Sequence, residues 1–180
     1  MKTIRNLYRK IQPFRDIPLP QFFGTVLGCS LGLGTVSCFS VYYHVPLLIA
    51  SFGATSMLVF AYPHLPMAQP RNVIGGHIIS AFVGVSIYQL LGMTWISITL
   101  AAMLAILAMI ITSTSHPPGG ATALIAVMTG ADYSFIFMPI TFGAVILVCS
   151  SIIINYFIPG ITYPVPHHHP HHHHTTHKQN

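Results

Sequence analysis

The sequence Ser-His-Pro-Pro-Gly-Gly-Ala-Thr-Ala-Leu at residues 115–124 stands in the middle of an otherwise apolar chain. Hydrocarbon offers exposed backbone no hydrogen-bond partner, so prolines and glycines at membrane depth predict a helix that begins inside the protein. Such a helix start presents free N–H groups and the positive end of the helix dipole, which together favour an anion. The pattern therefore indicates a transporter or channel rather than a purely structural membrane protein.

The predicted anion site comprises Pro117, Pro118, Gly119, Gly120, Ala121 and Thr122. The two prolines suit the first turn of a helix, where a missing N–H costs nothing, and the two glycines leave room for a ligand to approach the backbone. We expect the backbone N–H groups from the first glycine onward, together with the threonine hydroxyl, to hold the anion. The alternative is that the glycines only allow two helices to cross closely.

Ionisable and polar residues near the predicted site are further candidates. We expect His116 to donate to the anion or to carry a proton in symport, the alternative being a structural histidine that caps a carbonyl. His77 is either a substrate residue or a core histidine with satisfied hydrogen bonds. Arg71 recruits anions at the pore mouth, or it only sets the topology, and Asn72 caps the following helix.

An internal repeat links the site to a second segment. Gly53-Ala-Thr-Ser-Met-Leu recurs as Gly120-Ala-Thr-Ala-Leu-Ile at an offset of 67 residues, and each copy lies in a short segment between longer ones. Paired short segments in two halves point to a transporter binding site. We therefore expect Gly53, Ala54 and Thr55 to form a second cradle that faces the first. The alternative is that small residues recur wherever membrane helices pack.

The composition is that of an integral membrane protein. The chain is 53% hydrophobic and 5% charged, whereas soluble domains carry about 25% charged residues. Glutamate is absent, and the only acids are Asp16 and Asp132. With so few carboxylates and no nucleophile–base pair, we expect no enzymatic activity, and we expect no cofactor and no nucleic-acid partner.

The apolar segments predict an all-α membrane protein built from two long–short–long repeats. Segments at about 21–43, 73–91, 93–114 and 135–158 are long enough to cross a bilayer, whereas 46–62 and 117–130 are short. This gives four full transmembrane helices and two short or broken ones. The expected divisions are a basic amphipathic segment 1–18, a transmembrane domain 19–160 with halves at about 21–92 and 93–158, and a disordered tail 161–180.

The distribution of positive charge predicts the orientation. Five of the seven basic residues precede residue 16, so we expect a cytoplasmic N-terminus in a multi-pass protein of the bacterial inner membrane. If the short segments cross the membrane, Arg71 lies on the cytoplasmic side with the N-terminus. If they are re-entrant, Arg71 lies on the opposite side of the membrane. Gly24, Gly28 and Gly32 form a small-residue stripe that packs within the protomer or in a homo-oligomer.

The C-terminal tail is rich in histidine. The eight residues are His167, His168, His169, His171, His172, His173, His174 and His177. Such a run binds Zn²⁺ or Ni²⁺ in vitro, so a divalent-metal transporter is an alternative function. The membrane region argues against it, because it lacks the carboxylates and Cys/His clusters that metal ions need.

Residues 115–125 and the sequence Gln-Pro-Arg-Asn-Val-Ile-Gly-Gly-His at residues 69–77 resemble the HPP family of integral membrane proteins. The family is named after its His-Pro-Pro motif, here residues 116–118, and the resemblance covers about residues 15–160. It implies four transmembrane helices. Because some members are implicated in nitrite transport, it also implies a transporter of small anions, with nitrite as the expected substrate, and the proton that His116 could carry would be its coupling ion. A channel or carrier for ammonia or urea is the alternative.

Overall fold

The fold is entirely helical in the residues that the computed structural model describes, 17–42 and 49–166. The helices are α1 Leu19–Tyr42, α2 Ser51–Ala61, α3 Pro70–Leu91, α4 Trp95–Ile111, α5 Pro117–Met128 and α6 Ile136–Tyr156. The last turn of α2 and the first turn of α6 are π-helical. The predicted all-α class is confirmed, and the chain is a multi-pass integral membrane protein.

Three helices of the described ranges, α1, α3 and α6, are long and apolar enough to cross a membrane. The prediction of four full spans is not confirmed, because α4 has 17 residues and extends only about 25 Å against roughly 30 Å of hydrocarbon. Its N-terminus is fixed by the side chain of Thr94, which accepts from Ser97 N–H, and Ser113, just beyond its end, has a positive φ of 54°. These caps remove residues from both ends of the predicted segment.

The helices alternate in direction, so that their ends meet in two groups on opposite sides of the bundle. On one side, the amides of Gln21 in α1 and Asn155 in α6 donate to carbonyl groups at the end of α2. On the other side, Gln89 near the end of α3 donates to the Ala131 carbonyl, 3.5 Å away. Arg71, at the start of α3, therefore lies on the side where α1 begins. The prediction in which the short segments cross requires this placement.

α3 and α5 pack backbone against backbone along the face of α3 that carries Gly76 and Gly84. A Cβ atom added to Gly84 would lie 2.7 Å from the carbonyl oxygen of Ala123, and one added to Gly76 would lie 2.6 Å from Cβ of His116. Neither glycine has room for a side chain. This close approach brings the start of α5 against α3 and buries His116 and Pro118 in the bundle, whereas Pro117 stays exposed.

The glycine stripe of α1 packs within the protomer. A Cβ atom at Gly28 would overlap the ring of Phe60, and one at Gly24 would overlap the side chain of Ile158. The Phe60 ring also closes on Gly32. Of the two roles predicted for the stripe, the structure shows the intramolecular one, so a homo-oligomer would need another surface.

Parts of three predictions lie outside the described residues. They are the basic segment over residues 1–16, the first residues of the second apolar segment, and the histidine-rich tail from residue 167 onward. The division into two repeats stays a prediction.

Candidate functional site

His77 lies two turns into α3, and both of its ring nitrogens contact a threonine. Its Nε2 is 2.8 Å from Oγ1 of Thr55 in α2, and its Nδ1 is 2.8 Å from Oγ1 of Thr122 in α5. The ring of Phe52 packs edge-on against the imidazole, with 5.4 Å between ring centroids. One imidazole of α3 thus joins the two short helices.

His116 is the second imidazole of the site and is the residue that directly precedes α5. Its backbone is extended, with φ −140° and ψ 99°, because the proline after it disfavours the helical conformation. Its Nε2 lies 3.0 Å from Oγ1 of Thr55, and its Nδ1 lies 2.8 Å from the carbonyl oxygen of Met67. The two imidazole rings are 4.8 Å apart between centroids, so Thr55 bridges His77 and His116.

Ser51 completes the network, since its Oγ lies 3.0 Å from Oγ1 of Thr122. We call these five side chains the imidazole–hydroxyl cluster: Ser51, Thr55, His77, His116 and Thr122. Each is no more than 2% exposed. Buried polar groups without partners are costly, and here every imidazole nitrogen and every hydroxyl has one. The cluster ties α2, α3 and α5 together in the interior.

The cluster carries no fixed charge. Among the described residues, no lysine, arginine or carboxylate side chain forms a hydrogen bond with its members. Arg71 and Asn72, both predicted as candidates, donate to the carbonyls of Thr112 and Ser115, at 3.4 and 3.2 Å. The predicted capping role of Asn72 is wrong, because α3 begins at Pro70 with Gln69 as its N-cap and Asn72 lies inside the helix. They hold the turn that leads from α4 into His116 and do not reach the imidazoles.

The start of α5 offers fewer backbone donors than the sequence suggested. Pro117 and Pro118 have no N–H group, and the N–H of Gly119 donates to the carbonyl oxygen of His116 at 2.8 Å. Gly119 is also closed to a ligand by packing, because a Cβ atom there would lie 2.7 Å from Oγ of Ser80. The hydroxyl and imidazole groups, not the free backbone, are the polar groups of the site.

An apolar cavity of about 620 Å³ lies beside the cluster, between the end of α2 and the start of α5. Its lining contains four of the predicted site residues, which are Ala54, Pro117, Pro118 and Ala121. The two glycines of the predicted cradles are open as well. A Cβ atom added to Gly53 would meet nothing within 4 Å, and one added to Gly120 would meet only a side-chain carbon of Ile106 at 3.9 Å.

A second cavity of about 540 Å³ lies at the opposite end of the short helices, between the start of α2 and the end of α5. Asp132 lines it, with the Ser134 N–H donating to its Oδ1 at 2.7 Å. Hydrogen bonds from the side chain and backbone of Ser134 lower the pKa of this exposed carboxylate. Ala50, next to the cluster residue Ser51, also lines the cavity. Neither cavity is lined by a cluster residue, but each is lined by direct chain neighbours of the cluster.

The described part of the chain contains no group of three His, Cys, Asp or Glu side chains that could hold a metal ion. The predicted tail ligands fall outside that part. The sequence-based reasoning also missed two members of the site, Ser51 and the Met67 carbonyl. Ser51 stands four residues before Thr55, a spacing that places both on one helix face.

The chain is similar to known membrane proteins over most of its length. A family model described as "HPP, transmembrane region" matches residues 15–164. Two proteins of Dictyostelium discoideum, each named only as a transmembrane protein, are 40% identical over 126 residues and 42% identical over 127 residues. Each match covers 66% of this chain but only 40% and 44% of the relative, so the chain spans less than half the length of these relatives. No solved structure matches the chain significantly.

Proposed function

The chain belongs to the HPP transmembrane family, and from that premise we propose that it moves a small solute across the membrane past the imidazole–hydroxyl cluster. The observation that carries the proposal is this buried polar cluster, which joins two short helices whose opposite ends line two cavities. Polar side chains at membrane depth mark substrate and proton pathways, and paired short helices mark transporter sites.

The solute that we propose is a small monovalent anion, with nitrite as the first compound to test. The cluster would hold it with hydroxyl and imidazole N–H donors rather than with an ion pair. An unpaired charge in a low-dielectric interior is costly, so an anion there would travel with a proton. An anion of a weak acid, such as nitrite, can take up that proton and cross as the neutral acid.

The roles of the predicted residues follow from their positions. We propose that the solute first binds in the 620 Å³ cavity, because the small side chains of Ala54 and Ala121 leave space there on both short helices. Pro117 and Pro118, which follow His116 in the chain, line the same cavity. Thr55, His116 and the hydroxyl of Thr122 would then receive the solute from the cavity.

Passage of a neutral solute is the second candidate, and one observation favours it. Asp132 carries the one acidic side chain of the described residues, and it lines the 540 Å³ cavity together with Gly130, just after the C-terminal end of α5. A carboxylate and the negative end of a helix dipole attract cations, which suits ammonium as the form that approaches and ammonia as the form that crosses.

We also propose a cytoplasmic N-terminus in a bacterial inner membrane. The support is that Arg71 lies on the side where α1 begins, as the positive-inside rule favours for a loop between membrane segments. Labelling an Arg71→Cys variant in a background without other cysteines tests it: a membrane-impermeant thiol reagent added to intact cells should not react there.

The test of the function is uptake of nitrite and, separately, of ammonium into proteoliposomes. We compare the wild type with an Ala54→Leu, Ala121→Leu variant that fills the cavity between the short helices. The matched control is Gly34→Leu, because a Cβ atom at Gly34 meets nothing within 4 Å. Saturable nitrite uptake that the cavity-filled variant loses and the control keeps supports the anion proposal.

Two other outcomes have distinct meanings. If ammonium makes the liposome lumen more alkaline and nitrite is not taken up, the anion proposal is refuted and the neutral solute is supported. Uptake of neither compound above empty liposomes refutes both candidates for these substrates.

A further inference from the structure

The hydrogen bonds of the cluster fix where its protons lie when both imidazoles are neutral. The Met67 carbonyl can only accept, so Nδ1 of His116 carries a proton and Nε2 must accept. The remaining partner of Nε2 is the hydroxyl of Thr55, which therefore donates to it. Having given its one proton to His116, Thr55 must accept from Nε2 of His77.

The other half of the cluster follows from the same rule. A neutral His77 that is protonated at Nε2 has an unprotonated Nδ1, so the hydroxyl of Thr122 donates to it. Thr122 then accepts from the hydroxyl of Ser51. The neutral cluster is thus a single chain of donors that runs from Ser51 to the Met67 carbonyl, with each proton placed.

A second arrangement holds one more proton without losing a hydrogen bond from the imidazoles. The hydroxyl of Thr55 has an alternative acceptor, the carbonyl oxygen of Ser51, at 3.1 Å. If Thr55 rotates toward it, its oxygen can accept from Nε2 of both histidines at once, because a hydroxyl has two acceptor lone pairs. His116 then carries protons on both nitrogens, and its Nδ1–H still donates to Met67.

His77 has a poorer alternative. To carry a second proton it would need Thr122 to release its Nδ1 and donate to the Pro118 carbonyl at 3.5 Å or to Oγ of Ser51 at 3.0 Å. The first distance is the limit of a hydrogen bond. The second requires the Ser51 hydroxyl to turn its own proton away, and it has no other acceptor among the described residues, whereas the Thr55 hydroxyl switches alone to an acceptor at 3.1 Å. The geometry therefore favours the extra proton on His116.

The surroundings of the two imidazoles allow the cluster to hold one additional proton and no more. Among the described residues, the ionisable side chain that faces each imidazole is the other imidazole, 4.8 Å away between centroids. From α2 the partners are Thr55 and Phe52, from α5 Thr122, and from the loop before α3 the Met67 carbonyl. Two like charges so close in a low-dielectric site are strongly disfavoured.

We propose that His116 is the proton-binding residue of this protein and that the Thr55 hydroxyl is its switch, which donates to His116 in the neutral state and to the Ser51 carbonyl in the protonated state. The proton is bound at Nε2 of His116 and released from the same atom, so one proton enters and one leaves per cycle. The proposal rests on the proposed function only in taking this proton as the coupling ion of solute transport.

The direct test is nuclear magnetic resonance of the full chain labelled with ¹⁵N-histidine, in lipid nanodiscs. The His116 and His77 signals are assigned by difference with His116→Gln and His77→Gln. Should either Gln variant fail to fold, Thr122→Val assigns them, because the Thr122 hydroxyl contacts His77 and not His116. We expect neutral His116 to carry its proton on Nδ1 and His77 on Nε2. On acidification, His116 gains a second proton while His77 keeps its tautomer.

Three variants separate a switch from a structural hydroxyl. Thr55→Ser keeps the hydroxyl, so His116 should protonate as in the wild type. In Thr55→Val, His116 should stay neutral over the pH range in which the wild-type residue protonates. Ser80→Ala removes a buried hydroxyl that has no partner among the described residues, one turn after His77, and it should change neither tautomer. An Nε2 proton on neutral His116, or protonation of His77 first, would overturn the proposal.

A transport measurement distinguishes failure of this proposal from failure of the proposed function. If a pH gradient drives nitrite uptake in the wild type and in the Ser80→Ala control, Thr55→Val should lose the dependence on the gradient. Uptake that depends equally on the gradient in all three refutes the switch but leaves the transport of nitrite intact. Titration of His116 as described, in a protein that moves no nitrite, refutes the substrate and supports the switch.

Discussion

Thr55 and Thr122 hold the same imidazole from opposite sides, each with its Oγ1 2.8 Å from a ring nitrogen of His77. The two threonines are the third residues of the two Gly-Ala-Thr sequences, 67 positions apart. A two-repeat fold would produce this contact if its pseudo-symmetry axis passed near the ring. His77 has no counterpart of its own, because the position 67 residues later is Ala144, and Ser51 has none either, because that position is Pro118. Of the cluster, only the two threonines therefore follow the repeat.

Replacing Thr122 by valine keeps the shape of the side chain and removes its hydroxyl. His77 Nδ1 and the Ser51 hydroxyl then lose a buried partner, and each unsatisfied group of this kind costs about 1–3 kcal/mol. We expect the free energy of unfolding to fall by roughly that amount and solute uptake to fall with it. Thr129→Val, at an exposed position just after the same helix, should leave both nearly unchanged. Equal stability of the two variants in denaturant titrations would contradict the network.

The sequence predicted several parts of this arrangement, because they depend on local chemistry. The proline pair after His116 does start a short helix, and the threonines of the two Gly-Ala-Thr segments both contact His77 in the interior. Gly53 and Ala54 are exposed, so the predicted second cradle stays a prediction. It overestimated the backbone donors of Gly119, since the partner of that N–H is set by the turn that His116 makes. It missed the Met67 carbonyl, because a loop carbonyl has no residue-type signature and reaches the site only through tertiary packing.

The contact between α3 and α5 makes Gly84 intolerant of a side chain. A methyl group there would lie 2.7 Å from a backbone oxygen of Ala123, which cannot move without shifting α5, and overpacking of this kind costs about 1–3 kcal/mol. We expect Gly84→Ala to lower the midpoint of thermal unfolding in detergent. Gly53→Ala provides the comparison, because its Cβ position is open, and a similar loss in both variants would refute the packing argument.

Asn155 supports the end of α2 from α6, since its side-chain N–H donates to the Val59 carbonyl at 3.0 Å. Leucine at this position fills a similar volume but leaves that buried carbonyl without a donor. We expect Asn155→Leu to destabilise the protein by about 1–3 kcal/mol, as measured by denaturant unfolding in detergent. Ile153→Leu, at a 58% exposed position of the same helix, serves as the control, and a stability change no larger than that of the control would remove this support.

Removing the carboxylate of Asp132 should change the uptake of the two candidate solutes in opposite directions. Because hydrogen bonds from Ser134 lower its pKa, it is ionised at neutral pH and repels an approaching anion. A single exposed charge acts weakly through water and is screened by salt, so Asp132→Asn should raise nitrite uptake by about twofold at most at low salt and leave it unchanged at high salt. A fall in ammonium-dependent flux in the same variant would instead favour the neutral solute.

Tyr163 makes stability depend on alkaline pH. Burial raises the pKa of its hydroxyl, which donates to the Ala68 carbonyl at 2.8 Å, so the folded state favours the protonated phenol. This contribution is complete below the ordinary pKa of about 10 and is lost as the pH rises through the raised value. We therefore expect the thermal midpoint to fall as the pH rises above about 10, and to fall less in Tyr163→Phe. Tyr156→Phe, at an 80% exposed position, should retain the full decrease, and a wild-type decrease that persists in Tyr163→Phe would assign it to other groups.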